Sequence, residues 1–289
     1  MHSIFTINWE SKPTVEDFER YLSKERPDKI LLIETPLNWN FLSLLNELSI
    51  PIVFIPMNDS VGLGRIKRIK DEHNISIDKF VCLTRWAYEI AQSYNLPSVY
   101  CPFPVDTEKF KFTQRGSDNI VFLHNAGKLG NKFRKGTDLV VSAYWQSIIN
   151  RNSFNLLLRS QYAKDVDNPY ELYSMGDVYL APSRKEGLGL PIYEAMACGL
   201  PVITTDFMPA SEPIPFKELL INNTNIPIDN DYKDGSEHEI SMDHFLDTIS
   251  MVKNLGKDRI QEISCGVRKH IYDNYSWDSV GDRLRREIE

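Results

Sequence analysis

The sequence predicts an α/β protein built on parallel sheets and divided into two domains. Short apolar runs bounded by turn residues recur along the chain, and helix-period segments lie between them. Strands alternating with helices favour a parallel sheet covered by helices on both faces. A length of 289 residues accommodates one large or two moderate domains. The Pro- and charge-rich stretch 102–110 interrupts the alternation and marks the boundary region, giving domains 1–112 and 113–289.

In order, residues 3–7 form a candidate strand. Residues 14–25 read as a helix, with Thr14 as N-cap and Asp17 at the third helical position. Residues 29–34 make a buried strand, 40–48 a helix, 51–56 and 79–84 strands, 85–94 a helix and 98–101 a short strand. The second sheet is expected from 119–124, 154–158, 178–181 and 201–204, with a helix beginning near Thr137. There is no internal repeat and no low-complexity tract.

Composition narrows the function. A 42% hydrophobic content supports proper cores, and no apolar run is long enough to span a bilayer. The opening residues lack the basic start and long apolar core of a signal peptide, so a cytoplasmic protein is expected. A net charge of −7 argues against broad nucleic-acid binding. Cys82, Cys101, Cys198 and Cys265 form no CxxC pair and read as buried free thiols in a reducing compartment. The six histidines form no HxxxH or HExxH set, so no metal site is expected. Asn-x-Ser/Thr triplets at Asn58, Asn74, Asn222 and Asn274 read as chance matches.

The chemistry concentrates in Glu186-Gly-Leu-Gly-Leu-Pro-Ile-Tyr-Glu194, where two carboxylates stand eight residues apart. The apolar stretch 179–183 before it reads as a buried strand ending in Pro-Ser. Gly187 and Gly189 allow positive φ and close approach of a ligand. Pro191 suits a helix start, and Gly199 followed by Leu-Pro ends that helix after about two turns. The unpaired amides and positive dipole end of such a helix favour a phosphate. Glu186 precedes the helix and Glu194 lies about a turn inside it, so both can face one cleft. As composition alone, the same stretch is an ordinary strand–turn–helix with two surface glutamates.

The order of residues resembles the donor-site signature of retaining GT-B glycosyltransferases of the family 4 (group 1) type. The match begins at Gly176-Asp177-Val178, runs through Pro182-Ser183 and Glu186 to Glu194, and continues through Gly199-Leu-Pro-Val-Ile203 and Glu212-Pro-Ile214. It implies two Rossmann-like parallel-sheet domains facing across a cleft. The first would be a reduced, acceptor-side domain, because the glycine-rich loop that usually opens such proteins is missing. The second would bind the nucleotide sugar and end in a closing helix near Ser276-Trp-Asp-Ser-Val280. Val105-Asp106 and Phe110 match the family's interdomain linker, without its glycine.

A second cluster, residues 125–138, follows a strand and is rich in Gly, Lys and Arg. Departure of a diphosphate needs a cation or a metal ion beside it. The resemblance implies an Arg and a Lys with no metal. Lys135-Gly136 matches the second element, and Lys128 or Arg134 stands for the first, with Lys132 a weaker choice. Read alone, the cluster is a solvated basic loop.

The resemblance therefore implies metal-independent hexosyl transfer from a UDP-sugar or GDP-sugar to a hydroxyl. Glu194 accepts from the ribose diol. Glu186 contacts donor-sugar hydroxyls and the charge near C1, and Gly127, Gly187, Leu188, Gly189 and Leu190 line the sugar or phosphate. Asn58 or Asp59 stands on the acceptor side, though an ordinary Asn-Asp turn reads equally well. Thr84-Arg85 ends a strand facing the same cleft. His124 either bonds near the sugar or caps its loop. The acceptor is a glycan, a lipid or a small molecule, membrane contact is peripheral at most, and the oligomeric state stays open. The alternatives are a non-catalytic GT-B protein that binds a partner transferase or a glycan, and a related epimerase or phosphorylase.

Overall fold

The computed structural model of the chain describes residues 14–33, 40–57, 63–72, 74–114, 119–127, 133–159, 168–227 and 236–289. The chain divides into two compact units, Met1–Cys101 with Arg286–Glu289, and Pro102–Arg285. The stretch 102–110 thus belongs to the second unit.

In the first unit, β1 (Ile30–Ile33), β2 (Ile52–Ile55), β3 (Lys79–Cys82) and β4 (Ser98–Tyr100) form a parallel sheet in chain order. The helices are α1 (Val15–Glu25), α2 (Asn40–Glu47), α3 (Leu63–Glu72) and α4 (Arg85–Ser93). Thr14 and Asp17 form the expected reciprocal cap: Asp17 N donates to Thr14 Oγ1 at 3.1 Å and Thr14 N to Asp17 Oδ2 at 2.9 Å. Phe18, Leu45, Ile66 and Ala91, one from each helix, share a core with Phe54, Phe80 and Cys82. Strands laid down in chain order with one crossover hand put their helices on one face. The expected cover on both faces is therefore corrected for the described helices of this sheet. Helix α3 occupies what reads as a short basic run, its Leu63 and Ile66 buried. Thr84 is buried and caps α4, accepting from Ala87 N at 3.1 Å. Arg85 lies over the Tyr100 ring at 4.9 Å. The candidate strand 3–7, Asn58 and Asp59 lie outside the described residues.

The second unit holds a five-stranded parallel sheet of β5 (Val121–Asn125), β6 (Asn155–Arg159), β7 (Val178–Ala181), β8 (Val202–Thr205) and β9 (Leu220–Ile221). Its spatial order is β6-β5-β7-β8-β9. The chain moves one way from β5 to β6, then restarts on the other side of β5 with β7. Such a reversal leaves a crevice at the carboxyl ends of β5 and β7, where open α/β sheets bind ligands. Buried Asp177 joins the two strands at their other end, accepting from Val121 N at 2.9 Å. Helix α5 (Thr137–Ile149) follows β5, α6 (Pro169–Ser174) precedes β7, and α7 (Leu190–Ala197) follows it.

A polar hairpin of β10 (Asn223–Pro227) and β11 (Ser236–Ile240) comes next, followed by α8 (Met242–Lys253), α9 (Lys257–Tyr275) and α10 (Trp277–Ile288). Arg268 of α9 donates to Thr107 O, Phe110 O and Ala197 O, fastening the 102–110 stretch to the end of α7. Ser276 Oγ accepts from Ser279 N at 3.1 Å, the expected start of the closing helix. Three cysteines are buried as expected. Cys265 on α9 is exposed, because its position falls on the solvent side of that helix.

Candidate functional site

Three segments converge at the carboxyl ends of β5 and β7: the loop after β5, the loop after β7, and the N-terminus of α7. Gly136 makes the first approach possible. It caps α5 with φ of 68°, and a Cβ there would sit 2.0 Å from Pro182 O. Only glycine lets the chain turn this way so close to the Pro182 carbonyl. Arg184 N then donates to Arg134 O at 2.8 Å, locking one loop to the other. The Arg184 guanidinium reinforces that lock, donating to both oxygens of Asp138 and to Phe133 O while lying 3.9 Å over the Phe133 ring. Behind the second loop, the hydroxyls of Thr204 and Thr205 donate to Ala181 O and Ser183 O, each at 2.9 Å.

Glu186 is the centre of the cluster, with 6% of its surface exposed. Its Oε1 accepts from Lys135 Nζ and from Ser183 Oγ, both at 2.6 Å. Its Oε2 accepts from Arg134 Nη1 at 3.2 Å. One carboxylate thus holds two cations, and the trio carries one excess positive charge. A buried charge set of this kind is costly unless each member is paired, and the excess favours an anion beside it.

Helix α7 adds to that preference. Gly189 caps it with φ of 78°, Leu190 opens it, and Pro191 stands at the second helical position, one later than the sequence implies. Among the described residues, the amides of Gly187, Leu188, Gly189 and Leu190 find no hydrogen-bond acceptor. The helix ends as predicted: Gly199, φ 83°, donates to Met196 O and Leu200 N to Ala195 O, both at 2.9 Å. Glu194, half-buried, receives the Tyr173 hydroxyl on Oε2 at 2.7 Å, and burial raises its carboxyl pKa above the ordinary value.

The structure also separates candidates. Of the two residues open for the first cation, Arg134 stands on Glu186, while Lys128, like Lys132, lies outside the described residues. Gly127, in the loop just past β5, takes the left-handed region, its amide donating to Asn125 Oδ1 at 3.2 Å. Both ring nitrogens of His124 are engaged within the fold. Its Nδ1 donates to Leu180 O at 2.8 Å, so its Nε2 accepts the Thr137 hydroxyl at 2.9 Å. Burial lowers its pKa to about 4, and the neutral ring ties β5 to β7 and to the start of α5. Three contributors escape a sequence reading. Ser183 has a signal in its Pro-Ser turn, whereas Tyr173 and Arg184 have none, since their partners lie 21 and 46 residues away.

Residues 152–224 match the family model described as glycosyl transferases group 1. That stretch contains Tyr173, Ser183, Glu186 and Glu194. A 45-residue stretch is 49% identical to O-antigen chain mannosyltransferase B of Escherichia coli, covering 16% of this chain and 12% of that one. A 90-residue stretch is 33% identical to O-antigen biosynthesis glycosyltransferase WclY of Escherichia coli, covering 25% and 26%. The matched stretches thus span less than a third of either relative. HepE of Anabaena, solved with UDP-glucose, superposes with a TM-score of 0.63 at 13% identity, over 94% of this chain and 80% of that one. The α/β fold, with two parallel-sheet domains, is that of the GT-B glycosyltransferases. Among the described residues, no helix is long and apolar enough to cross a membrane.

Proposed function

We propose that the chain is a retaining glycosyltransferase that moves a hexose from a UDP-sugar or GDP-sugar to a hydroxyl acceptor without a metal. One observation carries this reading: Lys135 and Arg134 meet on Glu186 beside the open amides of the α7 N-terminus. That is a place for a diphosphate held by two cations and a helix dipole. An ammonium has three N–H bonds, so Lys135 can keep Glu186 and still reach a phosphate oxygen. Glu194 takes the ribose hydroxyls. The bond from C1 to the phosphate oxygen breaks, the acceptor oxygen bonds C1 on the same face, and the departing phosphate takes the acceptor proton. Glu186 steadies the positive charge that grows near C1.

The names of the two relatives and the nucleotide sugar bound to HepE support sugar transfer as the reaction class. Gly127 and Lys128 would border the phosphates, and Asn58 or Asp59, from the first unit, would face a glycan, lipid or small-molecule acceptor. The intact charge set favours turnover over the non-catalytic alternative. Calorimetry with UDP and GDP on wild type, Lys135→Ala and Glu194→Ala tests the reading. One nucleotide class is expected to bind and to weaken in both variants. A folded wild type that binds neither nucleotide overturns it.

A further inference from the structure

One oxygen of Glu194 is occupied before any ligand arrives. Tyr173, at the end of α6, donates its hydroxyl to Glu194 Oε2 at 2.7 Å. The Tyr173 side chain is buried, and its ring meets Phe110 at 6.0 Å and Tyr179 at 5.7 Å, both edge-on. Those contacts aim the hydroxyl. Among the described residues, Glu194 Oε1 accepts no hydrogen bond.

We propose that Tyr173 is a positioning residue that presets the Glu194 carboxylate to receive a vicinal diol. Oε1 takes one hydroxyl, and the second lone pair of Oε2 takes the other. A carboxylate already held in its bound rotamer loses less freedom when the ligand arrives. This rests on the reading of Glu194 as the ribose acceptor. Every group facing Glu194 enters its ionisation: Tyr173 from α6, Tyr179 from β7, and Lys109 from the 102–110 stretch. Burial raises the carboxyl pKa, while the Tyr173 hydroxyl and Lys109 lower it. Burial also keeps the phenol protonated, its own pKa pushed well above the ordinary tyrosine value. Without that hydroxyl the Glu194 pKa rises further, so the ionised form that accepts two donors is lost at a higher pH.

The test is calorimetry on Tyr173→Phe, which keeps the ring and its two aromatic contacts. The probes are UDP or GDP, whichever wild type binds, its 2′-deoxy analogue, and inorganic pyrophosphate. Nucleotide binding is expected to weaken about tenfold, the loss of one hydrogen bond to a charged group. The 2′-deoxy analogue should lose less, and pyrophosphate, which has no diol, should be unchanged. The pH at which nucleotide affinity falls by half should move upward in the variant. An equal loss for all three probes means the hydroxyl only supports the fold, and overturns the proposal. So does an unchanged nucleotide affinity, or an unmoved pH midpoint, while Glu194→Ala still weakens binding. If Glu194→Ala is itself without effect, the ribose reading fails, and this proposal with it.

Discussion

Arg184 and Asp138 form a two-pronged ion pair, 2.8 and 2.7 Å, between the loop after β7 and the first turn of α5. Arg134 and Lys135 lie in the loop that this pair closes, so it holds the cations on Glu186. Asp138 is half exposed, which limits the pair's worth to about 1 kcal/mol. Arg184→Ala and Asp138→Ala should each weaken nucleotide binding several-fold, and the double variant should lose little more. Arg184→Lys should not restore it, because an ammonium lacks the planar fork. Additive losses in a calorimetric cycle would show that the two residues act apart.

Lys135 is expected to matter more for turnover than for folding. With Lys135→Ala, Glu186 keeps Ser183 and Arg134, so the cluster survives. Turnover should nonetheless fall about 10²-fold, the usual cost of removing one group that stabilises a leaving oxyanion. Steady-state kinetics with the donor identified by calorimetry reads this directly. An unchanged kcat would take Lys135 off the diphosphate.

Gly136→Ala is expected to be severe. The new Cβ would lie 2.0 Å from Pro182 O, at a φ of 68° that side chains seldom adopt. Backbone meets backbone there, so neither loop can give way cheaply. A loss of about 2 kcal/mol or more in urea unfolding is expected, with nucleotide binding weakened in whatever remains folded. A midpoint equal to wild type would mean the two loops can part without cost.

Stability should decline with acid through His124. The unfolded imidazole takes up its proton near pH 6.5, while the folded one resists protonation down to about 4. The unfolded state therefore binds more protons between those values, and stability is lost as pH falls through that window. The contribution is about 3 kcal/mol. His124→Leu should be less stable near neutrality, because Leu180 O and the Thr137 hydroxyl lose their partner. Its stability should also fall less steeply between those two pH values. Parallel slopes for wild type and variant in urea titrations would refute the assignment.

What could be read from the chain follows from the range of the forces involved. The Thr14–Asp17 cap and the end of α7 at Gly199 were legible because each rests on residues within one turn, while its start fell one residue earlier than Pro191 implied. Strands β5, β7 and β8 were legible as buried apolar runs. The β10–β11 hairpin was not, since Asn-Thr-Asn-Ile-Pro and Ser-Glu-His-Glu-Ile show no clean apolar alternation. Helix α3 was hidden by its charge, as only Leu63 and Ile66 betray an apolar stripe. At the site, residue types and spacing pointed to Glu186 and Glu194 and the family resemblance to Lys135, but neither showed who holds them. Ser183, Tyr173, Arg184 and the choice of Arg134 depend on where two loops meet, and that is set by the sheet order.

The reversal of strand order between β6 and β7 has a wider meaning for how such a protein diversifies. It gathers Arg134, Lys135, Ser183, Glu186 and Glu194 within a single structural unit, Pro102–Arg285. Among the described residues, none of these five borrows a residue from Met1–Cys101 for the contacts that hold it. On the proposed donor reading, the first unit is expected to be exchangeable by recombination or drift while a nucleotide preference is inherited intact. On that same reading, a chimaera carrying a foreign first unit is expected to keep its choice between uridine and guanosine diphosphates.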